Sequence, residues 1–137
     1  MNIKSLLAAL VLSLSLAAPV LAGSFIDGLV KAAEQGDANV QVQLGAMYLL
    51  GQGVPQDNAK ALGWYSKAAE QGHANAQYDL GLMYSEGKSV QQNYVEAYKW
   101  FTLAAGNGVL MAKQFRKDIT PKMTPAQIAE AQRLARE

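Results

Sequence analysis

The pentapeptide Ala-Ala-Glu-Gln-Gly at residues 32–36 recurs unchanged at residues 68–72 and, as Ala-Ala-Gly-Asn-Gly, at residues 104–108. Both intervals are 36 residues. An ungapped alignment of residues 32–67 with residues 68–103 gives 17 identities in 36 positions. A fixed period of this length is typical of architectures in which one supersecondary unit stacks on the next. The chain is therefore predicted to be built from repeats.

Each repeat unit is predicted to contain two helices. The first helix runs from about Ala38 to Leu50, and Gly51 follows it as a left-handed C-cap. Asp57 is the predicted N-cap of the second helix, which ends at Gly72. Helices of about 12 residues joined by short loops predict an antiparallel pair. The fold class is therefore all-α.

The spacing of apolar residues predicts which faces are buried. In the second helix, residues three and four positions apart form one apolar face: Ala61, Trp64, Tyr65 and Ala68. A glycine inside a helix costs about 1 kcal/mol relative to alanine. Gly45 and its equivalent Gly81 therefore predict that another backbone or a large ring packs against them, and Trp64 and Trp100 are the candidate rings. We interpret the aromatic stripe as core rather than as a ligand cage.

The ends of the repeat array depart from the pattern, as terminal repeats do. Residues 24–35 resemble a second helix that lacks its first partner, and the pattern fades after Gly108. Thr124, Pro125 and Gln127 then have the spacing of a helix start with a capping box. A C-terminal helix at 124–136 is predicted to cover the exposed end of the stack.

The first 22 residues have the pattern of a signal peptide. Lys4 precedes an apolar run from Leu6 to Ala18, Pro19 breaks it, and small residues precede a cut after Ala22. The alternative is an uncleaved membrane anchor, although the run is short for a bilayer span of about 20 residues. We predict a signal peptide at 1–22, a repeat domain at 23–137, and a periplasmic or secreted protein with no membrane insertion after cleavage.

Composition argues against most catalytic chemistry. The chain has no cysteine, a single histidine (His73) and a formal net charge of +1. These counts exclude disulfides, thiolate zinc sites and a thiol nucleophile, and they argue against a histidine-based metal site. Asp79 and Glu86 lie two helical turns apart on the same face. They could form an acid pair or a cation site, but the favoured interpretation is a solvated surface pair. We predict no catalytic residue, cofactor or metal, and no nucleic-acid partner because the basic residues are dispersed.

The recurring positions closely resemble the Sel-one-like repeat, a 36-residue relative of the tetratricopeptide repeat. The residues that carry the resemblance are Leu44, Gly45, Tyr48, Gly51, Gly53, Val54, Asp57, Ala61, Trp64, Tyr65 and the segment 68–72. The resemblance implies a short right-handed α-solenoid, with full repeats at about 37–72 and 73–108, that holds proteins on its concave side. Exported bacterial members of the family resemble envelope adaptors or host-contact factors. A cysteine-rich subgroup acts on penicillin, but its disulfides have no counterpart here.

Two classes of function follow. The first is a non-enzymatic adaptor of the bacterial cell envelope that binds a protein or peptide; self-association is also left open. The alternative is an envelope protein that binds or processes peptidoglycan.

On a helical wheel, the face of the first helix opposite the packing residues differs between the two units, as expected of a surface adapted to a ligand. This face predicts the partner-binding residues Asn39, Gln43, Leu50, Asn75, Asp79, Leu82 and Glu86. Plain solvent exposure of the face is the competing interpretation.

Overall fold

The computed structural model describes residues 22–137, and every regular element in that range is helical. The elements are α1 (residues 22–34), α2 (Ala38–Leu50), α3 (Asn58–Glu70), α4 (Ala74–Glu86), α5 (Tyr94–Gly106), α6 (Leu110–Ile119), a 3₁₀ turn (Thr120–Lys122) and α7 (Pro125–Leu134). Consecutive helices from α2 to α6 pack against each other, and α7 packs on α5. The all-α prediction is confirmed for this part of the chain. The predicted signal peptide lies, apart from Ala22, outside the described residues.

Local sequence signals set the helix ends. The Asp57 carboxylate accepts a hydrogen bond from the backbone N–H of Lys60 at 3.0 Å, which satisfies a free donor in the first turn of α3. His73 does the same for α4, because its Nδ1 accepts from the N–H of Ala76 at 3.2 Å. Gly51 has φ of +67° after α2, as predicted for a left-handed C-cap.

The rings that pack against the two helical glycines are not the predicted tryptophans. A Cβ built on Gly45 would lie 3.0 Å from the ring of Tyr65, and one on Gly81 would lie 2.5 Å from the ring of Phe101. The buried stripe of α3 consists of Ala61, Tyr65, Ala68 and Ala69. This stripe is rotated away from Trp64, which is only half-buried and lies beneath the ammonium group of Lys67. The prediction of a close ring was correct, and its assignment to Trp64 and Trp100 was wrong.

Buried glutamines join each helix pair to the preceding one. Gln41 Nε2 donates to the carbonyl oxygen of Ala33 at 2.9 Å, and its Oε1 accepts from Gln71 Nε2 at 2.9 Å. Gln77 repeats the arrangement one unit later, since it donates to Ala69 O at 3.1 Å and accepts from Asn107 Nδ2 at 2.9 Å. Both Gln41 and Gln77 are buried, so these bonds replace the ones that water would otherwise make.

The C-terminal helix begins with the capping box that the sequence predicts. The Thr124 hydroxyl accepts from the N–H of Gln127, and the Gln127 side chain accepts from the N–H of Thr124. Ala131 is buried against a cluster that includes Phe101 and Ile119. Within residues 22–137, no helix has both the length and the apolar character needed to cross a bilayer.

Candidate functional site

A pocket of about 190 Å³ lies between α2, α3 and α4. Its walls come from α2, from α3, from one face of α4 and from the loop that follows α4: Leu49, Tyr65, Asp79, Leu82, Met83, Glu86, Lys88 and Ser89. The α4 residues follow the i, i+3, i+4, i+7 pattern, so their side chains project from one side of the helix. The pocket therefore combines an apolar wall with a few polar groups, as ligand sites do.

Three of the seven predicted partner-binding residues line this pocket, namely Asp79, Leu82 and Glu86. The structure does not place the other four in its wall. On α2 the lining residue is Leu49 rather than the predicted Leu50, whose side chain is 62% exposed.

The remaining three predicted residues are exposed and do not line the pocket: Asn39, Gln43 and Asn75. Asn39 Oδ1 lies 3.1 Å from His73 Nε2, which links the start of α2 to the start of α4.

Asp79 is not the solvated carboxylate that the sequence favoured. It is half-buried, and within residues 22–137 no hydrogen bond reaches its carboxylate. Burial raises its pKa from the ordinary value of 3.8 to about 6, against an opposing effect of the nearby His73. Glu86 is exposed and lies 3.7 Å from the ammonium group of Lys88. The two carboxylates thus share a pocket but have different environments, because only Asp79 is shielded from water.

Tyr65 contributes a hydroxyl group that the sequence analysis treated only as part of the core. Its side chain is 4% exposed, and the ring is held against Gly45. In the part of the chain that the structure describes, no hydrogen bond to this hydroxyl is present. Burial and the charge of Asp79 raise the pKa of Tyr65 to about 12, so the hydroxyl keeps its proton at neutral pH.

The next repeat shows what fills the equivalent space when these two groups are absent. Phe101 stands 36 positions after Tyr65, and Phe115 stands 36 positions after Asp79. The two phenylalanine rings stack with centroids 5.7 Å apart and an interplanar angle of 29°. Where the first unit has a tyrosine and an aspartate that line a pocket, the next unit has two stacked phenylalanine rings. The difference between Tyr65 and Phe101 at equivalent repeat positions is the sequence feature from which the pocket could have been predicted.

Two further depressions are wider and less suited to a specific contact. One, of about 300 Å³, is lined partly by Tyr48 and Trp64, but the ammonium groups of Lys60 and Lys67 already lie over these rings at 5.1 and 4.5 Å. The other, of about 460 Å³, lies where α7 meets α5 and α6. Within residues 22–137, no group of three or more histidine, cysteine, aspartate or glutamate side chains could hold a metal ion.

A sequence profile of the Sel1 repeat matches residues 38–73 and 74–109. The chain belongs to the Sel1 repeat family. Sel1 repeats generally serve as protein–protein interaction modules, and typically as non-catalytic scaffolds. No match was found among curated protein sequences.

The solved structures that are similar to the chain include the following two. One is a protective antigen of uropathogenic Escherichia coli strains with an SLR fold; it is 37% identical with a TM-score of 0.76 over 80% of this chain. The other is a Sel1 repeat protein from Oxalobacter formigenes, 40% identical with a TM-score of 0.64 over 68% of this chain and 70% of its own. The chain spans about a quarter (24%) of the Escherichia coli protein. The solenoid of adjacent helix pairs is thus a fold shared with both.

Proposed function

We propose that the chain is a non-enzymatic adaptor of the bacterial cell envelope that binds a protein or peptide along the concave side of its solenoid. The binding surface consists of the stripe on α2 and α4 formed by Asn39, Gln43, Leu50, Asn75, Asp79, Leu82 and Glu86. The observation that carries this proposal is the pocket between α2, α3 and α4, because three residues of the stripe line it.

The stripe has the composition of an interaction surface rather than of a purely solvated face. Leu50 is an exposed large apolar side chain, and the pocket beside it adds the apolar groups of Leu49 and Met83. Contiguous exposed apolar surface rimmed by polar groups marks interaction sites in soluble proteins.

Site-specific photo-crosslinking in the cell tests the surface directly. A photoreactive amino acid at Leu50 or Gln43 is expected to give a covalent adduct with one defined partner, identified by mass spectrometry. The matched control position is Glu70, an exposed residue at the end of α3 that does not line the pocket. If adducts form equally at Glu70, or if no adduct forms at Leu50 and Gln43, the partner binds elsewhere.

Leu50 is a better position than Leu82 for a substitution that tests binding. Leu82 is half-buried and packs against the core cluster around Phe101, so Leu82→Lys would lower stability as well as binding. Leu50→Lys places a charge on an exposed site and is expected to weaken binding with little change in melting temperature.

The envelope location rests on the signal-peptide pattern of residues 1–22. We expect the protein recovered from a periplasmic extract to begin at Gly23 when its N-terminus is sequenced. A membrane-bound form that retains Met1 would argue for an anchor instead.

A further inference from the structure

We propose that the pocket between α2, α3 and α4 receives a lysine side chain of the bound protein or peptide, whose ammonium group meets the Asp79 carboxylate and the Tyr65 hydroxyl. The inference rests on the proposed function and specifies the chemistry of the contact. The lysine stem would lie along the apolar wall formed by Leu49, Leu82 and Met83. Long amphipathic side chains bind in this way, with the stem on apolar surface and the charge on polar groups.

The charges of the pocket favour a cationic occupant. Asp79 and Glu86 contribute two carboxylates, and Lys88 is the only cationic side chain in the wall. Lys88 is 80% exposed and pairs with Glu86 at 3.7 Å, so it does not neutralise Asp79. The wall therefore carries an uncompensated negative charge, located at the half-buried carboxylate. Electrostatic complementarity of this kind determines which partner a surface accepts.

Tyr65 places a second polar group in the pocket wall. Its side chain is 4% exposed, it lines the pocket, and its hydroxyl forms no hydrogen bond to another residue within 22–137. The hydroxyl oxygen is not itself fully buried, so it meets the solvent of the pocket and is free to accept a hydrogen bond from an occupant. A lysine ammonium group has three donors, so it can satisfy both the Tyr65 oxygen and the Asp79 carboxylate.

The fold does not require this pair of polar groups. In the next unit, the residues 36 positions further on, Phe101 and Phe115, form a pair of stacked rings instead. An aromatic pair in the first unit would remove the half-buried charge of Asp79. The polar pair is thus unfavourable for packing, and a bound cation would give it a favourable role.

Selection from a random 12-residue peptide library displayed on phage, with the purified protein as bait, tests the inference. We expect the enriched peptides to share a lysine, and synthetic versions of them to lose at least tenfold in affinity when norleucine replaces it, because the charge–hydrogen-bond contact is removed. Asp79→Asn should cause a similar loss, and Tyr65→Phe a smaller one. Tyr65→Phe is expected to fold, since Phe101 holds the same position against Gly81.

The control variant is Asp27→Asn, which removes one exposed carboxylate of α1 that does not line the pocket. Its affinity for the selected peptides should equal that of the wild type. Enriched peptides that bind without a basic residue, tolerate arginine equally well, or are insensitive to Asp79→Asn would overturn the lysine inference and leave the proposed function standing. Failure of any peptide to enrich would count against the proposed function itself.

Discussion

Tyr65 differs from Phe101 by one hydroxyl group, and the residue that faces each ring from the neighbouring helix differs as well. Both rings pack against a helical glycine, but the residue across from them is Asp79 in one case and Phe115 in the other. An aromatic pair excludes water and contributes packing energy, whereas a carboxylate opposite a tyrosine leaves a pocket. The pocket therefore depends on single residues within a helix pair that repeats along the chain.

Asp79→Asn is expected to stabilise the protein at neutral pH. The pKa of Asp79 is about 6 in the folded state against an ordinary value of 3.8, so burial of its charge destabilises the fold above pH 6, by about 1–3 kcal/mol. Because the folded state binds the proton more tightly, this penalty is relieved as the pH falls through 6 toward 4.

Urea unfolding of the wild type and the Asn variant between pH 4 and pH 8 measures the effect. The difference in unfolding free energy should be largest above pH 7 and vanish near pH 4. The interaction of Asp79 with His73 is lost in the Asn variant and is part of the measured difference, whereas the pair of Glu86 with Lys88 is present in both proteins. A difference that does not vary with pH would show that the carboxylate is not penalised by burial.

Gly81→Ala is expected to destabilise the protein more than Gly45→Ala. The added methyl group would lie 2.5 Å from the ring of Phe101, against 3.0 Å from Tyr65 at position 45. Forcing such a ring to move costs about 1–3 kcal/mol, which exceeds the gain of about 1 kcal/mol from better helix propensity.

Gly63→Ala is the matched control for these glycine variants. Gly63 lies inside α3 with no atom within 4 Å of a built Cβ, so the propensity gain should appear alone as a small increase in stability. Thermal unfolding of the three variants gives the order. Equal stabilisation by all three would mean that the rings adapt without cost.

At the scale of elements, helix boundaries were predictable and contacts between helices were not. The predicted limits of α2, Ala38 and Leu50, agree with the structure because the C-cap glycine acts within a few residues of itself. The ring against Gly45 was misassigned because Trp64 and Tyr65 are adjacent in sequence, and apolar spacing does not resolve which of them faces α2. The pocket and the junction glutamines depend on pairs far apart in the chain, which a helix pattern does not reveal.

Gln77→Met is expected to weaken the junction between α3, α4 and α5. The substitution keeps the length of the side chain but removes the donor to Ala69 O and the acceptor for Asn107. A buried carbonyl left without its partner costs about 1–3 kcal/mol. Chemical denaturation should show a loss of this size.

Gln43→Met is the control for the junction variant, because Gln43 is exposed on α2 and lies outside the junction. Its stability should stay within about 0.5 kcal/mol of the wild type, as for most surface changes. If both variants behave alike, the buried glutamines do not hold the units together.

At the scale of the whole molecule, two apolar clusters run through the stack. One lies between α3 and α4 and includes Ala61, Tyr65 and Leu80; the other lies between α5, α6 and α7 and includes Phe101 and Ala131. A solenoid gains stability mainly from contacts between neighbouring units, so a short array depends strongly on what covers its ends. The sequence predicted a covering helix from its capping box and apolar face, which are local features.

A chain that stops at Lys122 is therefore expected to melt earlier or aggregate. It loses the buried side chains of Met123 and Ala131 together with the half-buried Ile128 and Leu134, so the apolar surface of α5 that α7 covers meets water. Burial of apolar area stabilises by about 25 cal/mol per Å², so the free energy lost with several such side chains is large relative to the stability of a small domain.

A chain that stops at Leu134 is the control, because it keeps the apolar face of α7. It loses only the exposed or half-buried end, including the ion pair of Arg133 with Glu137. Circular dichroism melts and light scattering compare the two: if the chain ending at Lys122 is as stable and monodisperse as the one ending at Leu134, the last helix does not act as a cap.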